Sequence, residues 1–195
     1  TLKTELETRR PQVTFLVNAS GFGKFGRYDQ IPLQDSLDMI DLNCRALVHI
    51  TQLTLPYLEK GAHVIQIDSL SAFQPVPYLG VYGATKAFVL SYSRSLNAEL
   101  APRGIHMMAF CPGWVKTEFF DRAEQTSKTA VTYFNQLFTA REVVACALRD
   151  SARGRDVCVP GFRIKLQVLL TKLLPHRLVM RIWLKQQKHA GKTEA

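Results

Sequence analysis

Three short apolar runs, Val13 to Val17, Val64 to Ile67 and Ile105 to Phe110, alternate with two long amphipathic stretches, and this alternation constrains the fold most. Each run is too short for a helix and is bounded by glycine or proline, which predicts a strand buried on both faces. Between the first two, Leu37, Ile40, Cys44, Leu47, Thr51, Leu55 and Leu58 recur every three or four residues. That spacing predicts one amphipathic helix, with Asp35 as N-cap and Gly61 ending it beyond Pro56. Between the second and third, Tyr82 to Leu100 carries Phe88, Val89, Tyr92, Leu96 and Leu100 and stops before Pro102 and Gly104. Strand, helix, strand, helix, strand predicts a parallel sheet with right-handed crossovers, an α/β layer structure whose ligands gather at the strands' carboxyl ends. A helix from Glu142 to Leu148 and a fourth strand near Val157 to Val159 extend it. The reading is one domain over residues 1–162 followed, without a linker, by a basic amphipathic helical tail over 163–195.

Composition excludes several classes. With 195 residues, 47% of them hydrophobic, the chain can bury a core, so disorder is ruled out as its main state. The net charge of +9 is unevenly placed: residues 1–140 carry 13 basic and 12 acidic side chains, residues 141–195 carry 12 and 4. A neutral body with a basic end points to a local surface for a membrane, a partner or a phosphorylated ligand rather than to nucleic acid. Cys44, Cys111, Cys146 and Cys158 lie far apart in sequence with no C-x-x-C pair. Scattered thiols pack as small hydrophobes in a reducing compartment, so no metal or disulfide and a cytoplasmic location are expected. No signal peptide is read, and the longest uncharged stretch in the apolar C-terminal part, Leu166 to Thr171, is far short of the ~20 residues that span a bilayer.

Two motifs compete for the chemistry. Gly21-Phe22-Gly23-Lys24-Phe25-Gly26 matches G-x-G-x-x-G after a strand, but a phosphate cradle needs a helix opening at the last glycine. Here helical periodicity resumes only near Leu33, so a glycine-rich turn is the better reading. The second constellation is Ser69 or Ser71 after the second strand, with Tyr82 and Lys86 four apart on one helix face. An ammonium ~4 Å from the phenol, at an effective dielectric of ~20, would be worth ~4 kcal/mol, bringing the phenol from ~10 toward neutrality, where acid–base work is effective. A surface pair is the plain alternative.

Read together, Leu16-Val17-Asn18-Ala19-Ser20-Gly21, Asn43, Ser69, Tyr82-Gly83-Ala84-Thr85-Lys86 and Pro112-Gly113-Trp114-Val115-Lys116-Thr117 resemble the short-chain dehydrogenase/reductase family, in order and spacing, from about Val13 to Thr117. The resemblance implies a Rossmann-like open parallel sheet with helices on both faces, and NADP or NAD as cofactor. It implies that Tyr82 exchanges a proton with the substrate oxygen, Ser69 hydrogen-bonds that oxygen, Lys86 holds the nicotinamide ribose and Asn43 positions a relay water. Asn18 would lie near the ribose, and Pro112, Gly113, Val115 and Thr117 at the nicotinamide end. Val81 to Ala87, the Asp41-Leu42-Asn43 stretch and Leu174-Pro175 are most similar to a branch acting on hydrophobic carbonyls and alcohols, including hydroxysteroid and 3-ketoacyl reductases. Homo-oligomers are also implied. The family's first strands and pyrophosphate turn would precede Val13, where twelve residues stand, so an N-terminally truncated reductase is expected. The alternative is a catalytically inactive interaction module that pairs its open sheet edge.

Phe119, Phe120, Tyr133, Phe134 and Phe138 fall in the family's variable substrate-covering segment, as pocket wall or ordinary core. His49, His63, His106, His176 and His189 show no ligand pattern. The tail from Arg163 to Lys188 either packs on the domain or a second subunit with its charges solvated, or lies on an anionic membrane.

Overall fold

The computed structural model describes residues 1–193, with side chains to residue 188. Helix α1 (Leu2–Arg9) leads to strand β1 (Val13–Asn18). A glycine-rich loop follows, and then α2 (Leu33–Ile40), a π-turn over Asp41–Ala46 and α3 (Leu47–Thr54) form one continuous rod. Strand β2 (Leu58–Ile67), α4 (Gly80–Leu100) and β3 (His106–Phe110) complete the expected alternation. Beyond them lie β4 (Trp114–Val115), α5 (Phe119–Ala123), β5 (Leu137–Phe138), α6 (Ala140–Ala152), β6 (Val157–Cys158), α7 (Phe162–Leu173) and α8 (His176–Thr193).

The main sheet is parallel throughout, in the order β1-β2-β3-β6, and β4 pairs with β5 apart from it. Alternation along the central strands divides the core. Val64 and Met107 meet Leu96 and Leu100 of α4 on one face, while Ile65, Met108 and Phe110 meet Val143 and Ala147 of α6 on the other. Helices therefore cover both faces, as an all-parallel sheet requires.

Several expectations change. The helix after β1 starts at Leu33 with Pro32, not Asp35, at its N-cap, because proline's fixed φ suits a helix start. It ends near Thr54, and Gly61 instead sits inside β2 at φ 88°, where its N–H bonds the Gly104 carbonyl at 2.8 Å. A left-handed residue within a strand costs little only for glycine. Strand β1 is not buried on both faces: Phe15 and Val17 are 45% and 49% exposed, since β1 is the sheet's outermost strand among the described residues. The tail is two helices broken at Leu174-Pro175, packed through Ile164, Val168 and Val179. Among the described residues no helix is long and apolar enough to cross a membrane.

Candidate functional site

The carboxyl ends of β2 and β3 open into a cavity of about 1020 Å³, where an open parallel sheet binds its ligands. Strand β2 delivers Ile67, Asp68 and Ser69 to it, and the turn after β3 delivers Pro112, Gly113, Val115 and Thr117. Tyr82 and Lys86, one turn apart at the start of α4, face the same space. The Lys86 ammonium, 5% exposed, donates to the Ile67 carbonyl at 2.7 Å and so pins α4 to the end of β2. Lys86 Nζ stands 5.6 Å from the centre of the Tyr82 ring. Ser69 begins a 3-10 turn over Leu70–Phe73, its Oγ accepting from the Ser71 N–H at 3.2 Å. Ser71 Oγ is buried without a partner and also lines the cavity, as does Gln74, whose Oε1 is equally unpartnered.

Asn43 and Asn18 act behind the wall rather than on it. From the π-turn, Asn43 accepts from the Phe22 N–H at 3.0 Å and donates to the Phe22 carbonyl at 2.9 Å and to Thr85 Oγ1 at 3.0 Å. This holds the glycine-rich loop against α4. A Cβ at Gly21 would lie 2.9 Å from Asn43 Oδ1, and one at Gly23 would lie 2.9 Å from Tyr82 Cδ2, so both glycines are dictated by close approach. No helix opens at Gly26, consistent with a turn rather than a phosphate cradle. The Asn18 amide donates to Thr51 Oγ1 at 2.9 Å and to Gln66 Oε1 at 2.8 Å, facing the interior rather than the cavity.

The electrostatics reverse one expectation. Burial, the largest cause, pushes the Tyr82 phenol upward, not toward neutrality; hydrogen bonding with Ser69 pulls it down, and Asp68 and Cys111 push it further up. Desolvation penalises the phenolate in a buried site, and a Coulomb attraction read from spacing alone does not include it. Burial likewise lowers Lys86, opposed by Asp68. Asp68 is the group that motif reading missed. Its carboxylate is 3% exposed, Oδ1 has no partner, and Cys111 Sγ lies 3.5 Å from Oδ2. Burial raises it to about 7, against the pull of Lys86. The only sequence signal was a charged residue closing the apolar run of β2.

The C-terminal segments form the opposite wall. Phe119, Phe120 and Tyr133 line the cavity, whereas Phe134 packs edge-on to Trp114 at 4.9 Å and Phe138 sits in the core beside Ile164, so the aromatic segment serves both purposes. Leu170, Leu174, Val179, Ile182 and Trp183 close the cavity from α7 and α8. Trp183 Nε1 donates to the Pro77 carbonyl at 3.0 Å, and Gln187 Oε1 accepts from the Thr132 and Tyr133 N–H groups at 2.9 and 3.0 Å. Elsewhere His63 bonds Ser151 Oγ and His106 the Arg155 carbonyl, both structural; His189 lies outside the described side chains. The fold brings Cys146 and Cys158 to 3.6 Å, with the Asp150 carboxylate close by.

The sequence family described as short chain dehydrogenase matches residues 2–128. An uncharacterized oxidoreductase of Staphylococcus epidermidis is 36% identical over 107 residues, 54% of this chain and 46% of that protein. The chain spans about half the length of the curated relatives it matches. Among solved structures, a short-chain dehydrogenase from Sphingobium yanoikuyae in complex with NADPH is 28% identical with a TM-score of 0.69, covering 82% of this chain and 63% of that one. A bulky-bulky ketone specific alcohol dehydrogenase from Comamonas testosteroni is 27% identical with a TM-score of 0.60, covering 82% and 61%.

Proposed function

The chain belongs to the short-chain dehydrogenase family, and on that premise we propose that it carries the reaction centre of an NADP- or NAD-dependent reductase for hydrophobic ketones or acyl carbonyls. The observation that carries this reading is the convergence of Ser69, Tyr82 and Lys86 on one wall of a large cavity whose other walls are mostly apolar.

The residues present fit the nicotinamide–ribose end of a dinucleotide. Lys86 gives one hydrogen bond, to Ile67, and retains further protons for ribose hydroxyls, while the unpartnered Asp68 Oδ1 beside it is an acceptor awaiting a donor. Pro112, Gly113, Val115 and Thr117 would flank the ring. The bound dinucleotide supplies the hydride. The chain's own residues handle the proton. Tyr82, kept protonated by burial, donates to the oxygen of a carbonyl gaining negative charge, and Ser69 gives that oxygen a second hydrogen bond. The phenol in its acid form is the form that donates in the reduction direction. Asn43 keeps the Phe22 loop in place; with its amide engaged there, a relay water would hang on the main chain of the π-turn, a distortion frequent at functional sites.

The substrate class follows from the cavity. Phe119, Phe120, Val143, Leu170, Ile182 and Trp183 favour a bulky apolar molecule whose polar demand is met near Ser69. The Comamonas testosteroni relative, named for bulky ketones, supports this; a narrower place among hydroxysteroid or 3-ketoacyl reductases rests on the sequence resemblance alone. Four free thiols favour the cytoplasm, and the partners of this reading are a second copy of the chain and, through α7 and α8, a membrane surface. The outer edge of β1 favours a second reading, an interaction module that accepts a strand there.

The deciding experiment follows nicotinamide oxidation with a panel of bulky ketones and acyl carbonyls, for the chain and its Tyr82→Phe variant. Turnover that falls at least a hundredfold in the variant, with dinucleotide binding retained, is expected. Equal turnover in both would remove the mechanism, and no turnover with binding at β1 would favour the module.

A further inference from the structure

The outward face of α7 is the reverse of what a surface helix needs. Its inner face is buried through Ile164, Val168 and Thr171, yet the side pointing away from the domain carries Phe162, Leu166, Leu169 and Leu173, spaced to form one stripe. Phe162 is 81% and Leu173 71% exposed. The following helix, α8, carries Arg177, Arg181, Lys185 and Lys188, all exposed, with Leu178 and Ile182 one position along the chain from two of them. Residues 162–188 contain seven lysines and arginines and no aspartate or glutamate. The sequence alternative of a tail with only its charges solvated thus holds for the cations but not for the leucines.

We propose that α7 and α8 dock the protein on an anionic lipid bilayer, with Phe162, Leu166, Leu169 and Leu173 in the acyl boundary and the α8 cations on the headgroups. Apolar contact plus cation attraction is how interfacial helices bind, and an exposed apolar patch needs such an occupant. A second copy of this chain fits this α7–α8 surface poorly, because a self-complementary contact there would set two sets of cations with no acidic partner against each other. The surface is continuous with the cavity: Leu170 and Ile182 line it and are also 46% and 44% exposed, so its mouth opens beside the docked stripe. Resting on the proposed reductase reading, this gives a bulky apolar substrate a route from the bilayer to Ser69 and Tyr82 without crossing water. The docking itself stands apart from that reading, because it is measured without turnover.

The test is co-sedimentation of the chain with phosphatidylcholine vesicles, with and without phosphatidylglycerol, across salt concentration. Retention on the anionic vesicles, weakening with salt, is expected. Each cation near such a surface is worth roughly fivefold in partitioning, so Arg177→Gln with Arg181→Gln should weaken it about 25-fold. Leu169→Ser with Leu173→Ser, outside the cavity lining, should weaken it on the order of a hundredfold. Failure to bind anionic vesicles at low salt overturns the proposal. So does binding that the leucine pair leaves unchanged, which is adsorption by charge alone, or a dimer that the leucine pair dissociates without any vesicle binding.

Discussion

Replacing Asp68 with Asn should change how stability depends on pH, and by an amount the structure sets. The folded protein holds the Asp68 proton to about 7, against an ordinary value of 3.8. Each tenfold in proton affinity is worth about 1.36 kcal/mol, so ionising Asp68 in place costs roughly 4 kcal/mol relative to the unfolded chain. Between these two values the unfolded chain has released the proton while the native state retains it, so stability falls as pH rises through this window and levels off above about 7. Some 2.5 kcal/mol of the loss, roughly, falls between pH 5 and pH 8. The amide keeps the shape and cannot ionise. Urea unfolding of both proteins, followed by the fluorescence of Trp114 and Trp183 over that range, gives a difference curve in which titrations shared by the two cancel. Lys86, Tyr82, Cys44 and Cys111 are all held up by the charge of Asp68, so whatever they add to the difference curve is part of the Asp68 effect. The Asn variant should gain on the wild type by about 2 to 3 kcal/mol from pH 5 to pH 8. A difference flat within about 0.5 kcal/mol would mean that Asp68 is solvated and that the site is not the dry enclosure described.

Two further outcomes follow from particular contacts. A Cβ at Gly23 would press on Tyr82 Cδ2 at 2.9 Å and Phe119 Cζ at 3.0 Å, whereas one at Gly80 meets nothing within 4 Å; Gly23→Ala should therefore lower turnover about a hundredfold by misplacing the phenol, and Gly80→Ala leave it unchanged. Equal rates in the two variants would contradict the packing. Treatment with a small disulfide should convert Cys146 and Cys158, 3.6 Å apart, to an intramolecular disulfide, their two hydrogens passing to the two reagent thiols released. Mass spectrometry should find two hydrogens lost, with Cys44 and Cys111 still free; reagent left attached to Cys146 would refute the pairing.

The order of strands and helices was legible because it depends on local periodicity, and the spacing of Ser69, Tyr82 and Lys86 was legible because one helical turn fixes two of them. Exposure was harder to read. The run from Val13 to Val17 has the composition of a central strand, and only the sheet order, set by long-range pairing, makes β1 the outermost strand among the described residues. The leucines of α7 show the same difficulty in reverse: apolar residues fall on both sides of that helix, and periodicity does not tell which side the domain takes.

The chemistry of Tyr82 divides along the same line. Its distance from Lys86 is a one-turn relation, so a Coulomb attraction could be anticipated from two letters four apart. Its burial is assembled from the Phe22 loop, Phe119 of α5 and the end of β2, none of them local to α4. Desolvation is a sum over all of these neighbours, and it is the largest influence on the phenol, opposed by the Ser69 hydrogen bond rather than by the ammonium that sequence spacing reveals. Asp68 follows the same rule, since burial between strand and helix raises its carboxyl to about 7 even against the pull of Lys86 and the Cys111 hydrogen bond. In this protein the identities of the titratable groups at the cavity are written locally, while their protonation states are a property of the enclosed site.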